Sequence, residues 1–365
     1  MTSAHRRSAG LALVAALACC VGTTTAPASA SAPAAADFPD SDSGYHNYPE
    51  MVAEIHEVEL AHPDIVDVFS IGKSYRGRDI WAAKVSDNVA TDEDEPEVLF
   101  DAAHHADEHL TVELALYLFH TLVDGYGVGQ KVTRLVETRE ILIVFMLNPD
   151  GVQFDLSGDP YRDWRKNRQP NPTSSKVGID LNRNYGFKWN CCGGSSGKPG
   201  SETYRGWQPW AAPETLALAD FVRSRVVGGQ QQIRTHMSFH ANAELILYPW
   251  AYTRRNLVGR MTKADRDAFK AMAFDMAATN GYSVLQSAEW YITDGDEVDW
   301  MYGRQGIFSF TLEVYPPLGT VNHYPADEKI AKQTTRNREA LLYLIDLADC
   351  PYRASGTEAA NCPPG

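Results

Sequence analysis

Short apolar runs of strand length alternate along this chain with longer stretches in which apolar residues return every three or four positions. The short runs predict strands at Val66–Ser70, Ile80–Val85, Val98–Ala102, Glu140–Leu147, Arg234–His240 and Ile307–Val314. The helical period predicts helices over Tyr48–His62, Thr111–Tyr126, Ala212–Val227, Asp265–Gly281 and Asp327–Ala348. Strands alternating with helices of this length need a sheet covered on both faces. The expected fold class is therefore α/β: a single domain on a mixed, mostly parallel twisted sheet with helices on either side. No internal repeat or linker divides it. The stretch 152–207 breaks the rhythm, being polar and irregular with Gly193-Gly194-Ser195-Ser196-Gly197 inside it. Irregular chain of that length within a compact domain is usually functional.

The start of the chain follows neither rhythm. Met1 to Arg7 is basic, Ala9 to Val21 is apolar, and Ala28-Ser29-Ala30 or Ala34-Ala35-Ala36 offers a small-residue cleavage site. Residues 1–36 therefore read as a signal peptide with a short leader, residues 37–350 as the domain and 351–365 as a C-terminal tail. The apolar run is too short to span a bilayer comfortably, and no second one follows. A secreted, extracellular monomer with no membrane partner is expected. Ala16-Leu17-Ala18 is a poor match to the lipoprotein pattern that Cys19 could otherwise complete.

A net charge of −14 argues against a nucleic-acid partner. Part of that charge is the run Asp92-Glu93-Asp94-Glu95-Pro96-Glu97, which reads either as a solvated loop or as a calcium site with Asp92, Glu93, Glu95 and Glu97 as ligands. Outside the leader the cysteines are Cys191, Cys192, Cys350 and Cys362. An even number in an exported chain points to disulfides. A Cys191–Cys192 bridge would be strained, since adjacent Cα atoms lie ~3.8 Å apart and disulfides prefer ~4.4–6.8 Å. All three pairings remain open. No C-x-x-C occurs, which disfavours a cysteine zinc site.

Candidate chemistry is densest at Asp101-Ala102-Ala103-His104-His105-Ala106-Asp107-Glu108-His109-Leu110. Neutral imidazole with carboxylate is a ligand set that zinc prefers. Two patterns compete here. His105 and Glu108 form H-x-x-E, which awaits a distant third ligand. His105, Glu108 and His109 form H-x-x-E-H, in which both histidines bind metal and Glu108 is the base. The cluster leaves a strand and enters a helix, whereas H-x-x-E-H ligands should lie within a helix, so H-x-x-E fits better. The strand ending Ser238-Phe239-His240 offers the third ligand, at the strand edge where sites form in open α/β sheets. On that strand His236, Ser238 and His240 share a face. Glu313 opposes the apolar face of Phe308, Phe310, Leu312 and Val314, and a carboxylate in so apolar a strand should be partnered or functional. The irregular region adds Trp164-Arg165-Lys166-Asn167-Arg168 and Asp180-Leu181-Asn182-Arg183-Asn184, whose arginine forks suit carboxylates and oxyanions.

In this order the H-x-x-E, R-K-x-R, D-x-N-R-N, S-E-T-Y, S-F-H, Y-P-W, V-D-W and F-T-x-E motifs resemble the zinc metallocarboxypeptidase family, on its bacterial side. The resemblance runs from Asp37-Phe38-Pro39 to Tyr352. It implies one zinc ion held by His105, Glu108 and His240, with Asp180 orienting His105. It implies Glu313 as general base and later acid, and Arg168 steadying the tetrahedral oxyanion. Asn182, Arg183 and Tyr291 would hold the C-terminal carboxylate of a peptide or protein substrate. Asp296 would sit on the wall of the side-chain pocket and Val298 at the position where basic-specific relatives carry an aspartate. A broad preference for hydrophobic and basic C-terminal residues follows.

Two positions depart from the pattern: Asp107 stands where close relatives carry arginine, and Ala241-Asn242 replaces Ser/Thr-Tyr. The first should weaken or alter binding upstream of the cut bond. Barely six residues separate Ala30 from Asp37, so no inhibitory pro-domain of the usual size is expected. The competing functions are an H-x-x-E-H endopeptidase and a catalytically silent binding protein of the same fold. The first needs His109 as ligand, and the second needs a missing base.

Overall fold

The computed structural model describes residues 36–320 and 323–362. The expected signal segment, apart from Ala36, lies outside the described residues, as does the end of the tail. Among the described residues there are ten strands: β1 (Val66–Lys73), β2 (Asp79–Val85), β3 (Glu97–Asp101), β4 (Glu140–Val144), β5 (Val226–Val227), β6 (Gln230–Gln231), β7 (Ile233–Ala243), β8 (Leu245–Tyr248), β9 (Ser283–Gln286) and β10 (Phe308–Pro317). Strands β5 and β6 form a small hairpin, and the other eight form one sheet in the order β1-β2-β4-β3-β7-β10-β8-β9. The centre, β4-β3-β7-β10, is parallel. The β1-β2, β2-β4 and β10-β8 pairs are antiparallel.

Burial along the strands follows from this order. Every residue of β3 and β4 is buried, because both their faces are covered, while edge strand β1 exposes part of one face. Successive side chains point to opposite faces, so Val98 and Phe100 enter one core and Leu99 the other. The first core takes the apolar faces of α1 (Leu110–Gly125), α2 (Lys263–Asn280) and α3 (Ile330–Asp346) through Leu114, Leu118, Phe269, Met272 and Leu341. The second takes α4 (Pro213–Ser224) through Leu218 and Val222, together with Leu181, Tyr185 and Trp300. The expected mixed sheet covered on both faces is the architecture found.

Local signals set the helix ends. Thr262 and Asp265 form a reciprocal capping box at the start of α2, and Gly281 closes it in the left-handed conformation at φ 73°. Strands β8 and β9, absent from the sequence reading, are four residues each and pair parallel to one another. Their shortness leaves too few positions for a period to show. The described part of the tail, 351–362, is tied back to the domain. A Cys350–Cys362 disulfide closes it, and Tyr352 packs its ring edge-on to Phe308 at 5.3 Å. The other bridge joins Cys191 to Cys192, whose Cα atoms are 3.7 Å apart, so the disfavoured pairing is the one present.

Chain order reverses at β3: the chain passes from β3 through α1 to β4 on one side, while β7 lies on the other. The crevice beyond the carboxyl ends of β3 and β7 is where open α/β sheets bind ligands.

Candidate active site

His105 and Glu108 lie on the turn between β3 and α1, which is anchored by Ala103 N donating to Thr111 Oγ1 at 3.1 Å and Ala106 N donating to the Arg165 carbonyl at 2.9 Å. His240 projects from β7, and in the register of the parallel pair Glu313 of β10 stands beside it. Adjacent strands thus deliver the two residues to one place. All four are buried.

Three donor atoms converge there. His105 Nδ1 lies 3.1 Å from His240 Nδ1 and 2.7 Å from Glu108 Oε1, and His240 Nδ1 lies 3.0 Å from Glu108 Oε2. Two imidazole nitrogens facing each other at that distance need a proton or a cation between them. A tetrahedral zinc with bonds of ~2.0–2.1 Å sets its donors ~3.3 Å apart, so the two imidazoles and the carboxylate fit that ion in both spacing and chemistry. His109 does not join them: its Nε2 faces Asp155 Oδ2 at 3.0 Å, and its ring packs against Phe38 and Tyr324.

The far nitrogen of each histidine is also engaged. His105 Nε2 faces Asp180 Oδ1 at 3.2 Å, and Arg165 holds the other oxygen of that carboxylate at 3.1 Å. His240 Nε2 lies 3.3 Å from Ser238 Oγ, which donates to Asp101 Oδ1 at 2.8 Å. With Nδ1 turned to the donor cluster, His240 Nε2–H can donate to a hydroxyl whose own proton is already committed to Asp101. Each candidate ligand is thereby fixed in ring orientation and tautomer. The Ser238–Asp101 support escaped the sequence reading, although the shared face of Ser238 and His240 was its visible trace.

The cavity in front of the cluster holds about 210 Å³. Asn182, Arg183, Tyr291, Asp296 and Glu313 all line it, and its apolar lining comes from Ala241, Leu247 and Trp290. Val298 is buried at 1 % exposure, outside the lining. Arg183 is held by its Nη1 donating to the Asn182 carbonyl at 2.6 Å and its Nε to the Gly194 carbonyl at 3.2 Å. Tyr291 is 44 % exposed at the rim. Asp296 caps a short turn, accepting from Val298 N at 3.1 Å and from Thr293 Oγ1 at 3.2 Å. Burial pushes its carboxyl above the usual range, against the pull of Arg183. Burial, then the negative charge of Glu108, holds Glu313 well above the usual carboxylate range, with Arg165 and Arg183 opposing.

Two expectations need correction. Arg168 does not reach the cavity. Its guanidinium stacks 3.4 Å from the Phe154 ring centroid and 4.4 Å from that of Trp164. Arg165 lines the cavity instead, 3.8 Å from Glu108. In an irregular segment no period says which of two nearby arginines points inward. Nor do the four proposed calcium ligands converge. Arg225 grips both Glu97 oxygens at 3.0 Å and Asp92 at 2.6 Å, so those two charges are already compensated. Glu93 and Glu95 gather with Asp87, which the sequence reading did not include.

Behind the cluster lies a second buried group that the sequence reading also missed: Asp101, His104, His236 and Glu297, none of them exposed. His104 Nδ1 faces Asp101 Oδ1 at 3.0 Å and its Nε2 faces Tyr185 Oη at 2.8 Å. His236 faces Ser309 Oγ at 2.7 Å and Asp101 Oδ2 at 2.5 Å.

A family model described as zinc carboxypeptidase matches residues 51–340. The chain is 45 % identical over 320 residues to a zinc carboxypeptidase of Saccharothrix mutabilis subsp. capreolus, covering 88 % of this chain and 73 % of that one. It is 28 % identical to carboxypeptidase A1 of Bos taurus over 74 % of this chain, and spans 62 % of the bovine protein's length. Among solved structures, thrombin activatable fibrinolysis inhibitor superposes with a TM-score of 0.75 at 25 % identity, over 83 % of this chain and 74 % of that one.

Proposed function

Since the chain belongs to the zinc carboxypeptidase family and so is a metallocarboxypeptidase, we propose that His105, Glu108 and His240 hold its zinc ion and that Glu313 works as base and acid at the last peptide bond of a substrate. The observation that carries this reading is the convergence of two imidazole nitrogens and a carboxylate at a cavity that Arg183 and Glu313 also line. When bound, zinc supplies Lewis acidity and lowers the pKa of a water from ~15.7 toward ~7.

The remaining work falls to the chain. Arg183, with Asn182 and Tyr291 beside it, takes the substrate's free carboxylate in a planar fork, which restricts cleavage to a C-terminus. Glu313, kept proton-seeking by burial, takes a proton from the attacking water as its oxygen bonds to the carbonyl carbon. Arg165, in the role first assigned to Arg168, donates to the carbonyl oxygen as negative charge develops on it. Glu313 then returns the proton to the amide nitrogen as the C–N bond breaks, releasing one amino acid and the shortened peptide.

The side-chain pocket joins an apolar wall at Leu247 and Trp290 to the Asp296 carboxylate, which supports release of aliphatic, aromatic, Arg and Lys termini. Digestion of a peptide library followed by mass spectrometry tests both readings. Single-residue losses from unblocked C-termini are expected, and internal cuts would end the proposal. A ratio of Leu- to Arg-ended cleavage unchanged in Asp296→Asn would remove Asp296 from the pocket.

A structural calcium ion fits Asp87, Glu93 and Glu95. Glu93 Oε2 and Glu95 Oε2 are buried without a hydrogen-bond partner, as carboxylates awaiting a hard cation would be. The basic, apolar and small-residue regions of the leader support export of the mature chain.

A further inference from the structure

Another donor group, separate in membership from the zinc donors, borders the cavity, which His323 lines. Asp107 sits on the turn between β3 and α1 and is only 3 % exposed. Its Oδ2 faces His323 Nδ1 at 2.9 Å, while its Oδ1 is buried with no hydrogen-bond partner. Asp163 comes from the irregular region. One donor atom from each of Asp107, Asp163 and His323 lies within 4.8 Å of the others. An ion pair between Asp107 and His323 accounts for Asp107 Oδ2 and leaves both the buried Asp107 Oδ1 and the approach of Asp163 unexplained.

The chain holds this group in place through its neighbours. The rings of Tyr161 and Tyr324 stack at 4.2 Å and 5°. Tyr324 Oη donates to Asp155, whose Oδ1 also accepts from Trp164 N at 2.8 Å. The residues that follow Asp163 and His323 are thus pinned to one buried carboxylate. We propose that Asp107, Asp163 and His323 form a second divalent-cation site, distinct from the zinc site. Two carboxylates and a neutral imidazole balance a 2+ charge and give the orphaned Asp107 Oδ1 a partner. A nitrogen donor selects zinc-like transition metals over calcium, which takes oxygen ligands.

Metal counting after equilibrium dialysis of the full chain against Zn²⁺ tests this. The unaltered protein should retain one equivalent more than Asp163→Asn and one more than His323→Ala. Both variants should keep the equivalent that His105→Ala loses. Asp163 is exposed, so its variant is not expected to disturb folding. Equal metal content in the unaltered protein and Asp163→Asn would overturn the site and leave a plain Asp107–His323 ion pair, whatever His105→Ala shows for the zinc site.

Discussion

Two buried clusters of histidine and carboxylate lie side by side here, with the His104 and His240 rings only 5.4 Å apart. They use the same residue types to opposite ends. In the inner cluster each ring nitrogen of His104 and His236 faces an oxygen, and Asp101 is shared between the two rings. Against the cost of burial, those histidines hold Asp101 well below the usual carboxylate range. Glu297, buried beside the Asp101 charge, is pushed well above it. The two carboxylates are thus driven in opposite directions, and both Glu297 oxygens lie buried without a hydrogen-bond partner. In the outer cluster two ring nitrogens face each other across 3.1 Å beside an open cavity, an arrangement that asks for a cation. Residue type does not mark a metal centre; opposed lone pairs with access do.

The largest effect should come from breaking one cluster and then the other. His240→Ala is expected to lose bound zinc and all measurable turnover. His236→Ala should keep its zinc while losing stability on the order of 3–5 kcal/mol, the usual cost of stripping a buried charge of a partner. Metal analysis with thermal unfolding reads both. Zinc retained in the first variant, or lost in a folded second, would mean that the assignments are reversed.

The buried glutamates offer a finer contrast. Glu313→Gln should keep zinc and lose ~10²–10⁴-fold in turnover, the range for general acid–base groups. Glu297→Gln, outside the lining of the active-site cavity, should leave kcat within a few-fold and shift only the melting temperature. Steady-state kinetics on zinc-loaded protein would expose a Glu313 with no role.

The arginines separate similarly. Arg165→Ala should cost ~10²–10³ in kcat, as loss of an oxyanion donor does. Arg168→Ala, which removes a cation stacked on Phe154 and Trp164, should leave kcat near normal. Equal losses would restore Arg168 to the reaction.

The smallest effect concerns the acidic group at Asp87, Glu93 and Glu95, an oxygen-only counterpart to both histidine clusters. Burial, then repulsion from Glu93, raises Glu95 to about 7. A carboxyl whose folded pKa exceeds its unfolded one stabilises the fold fully below the unfolded value and loses that contribution as pH rises toward 7. In chelator, stability should therefore fall between about pH 4.5 and 7 in the unaltered protein and less in Glu95→Gln. Calcium should flatten the slope. Melting temperatures across that range that ignore both calcium and the substitution would remove the ion.

Much of this was legible in the chain because some patterns are local. Periods of two and of three to four residues carry the major strands and helices, since burial on one face or both acts at every turn of the pattern. The turn from β3 into α1 and the shared face of His236, Ser238 and His240 were legible for the same reason. Strands β8 and β9 were too short to show a period, and the bridge between Cys191 and Cys192 went against the usual Cα spacing.

The sequence by itself thus determined the α/β class, the strands that carry the site and the residues able to ligate a metal. Only the tertiary structure decided which of them meet. It chose Arg165 over Arg168 because an irregular segment has no repeating face to predict. It split the acidic run because Arg225, far along the chain, captured Asp92 and Glu97. It placed His323 against Asp107 because two aromatic rings distant in sequence stack at the rim. In the last two cases the deciding partner is remote along the chain, and only the packed fold brings its charge or ring within reach.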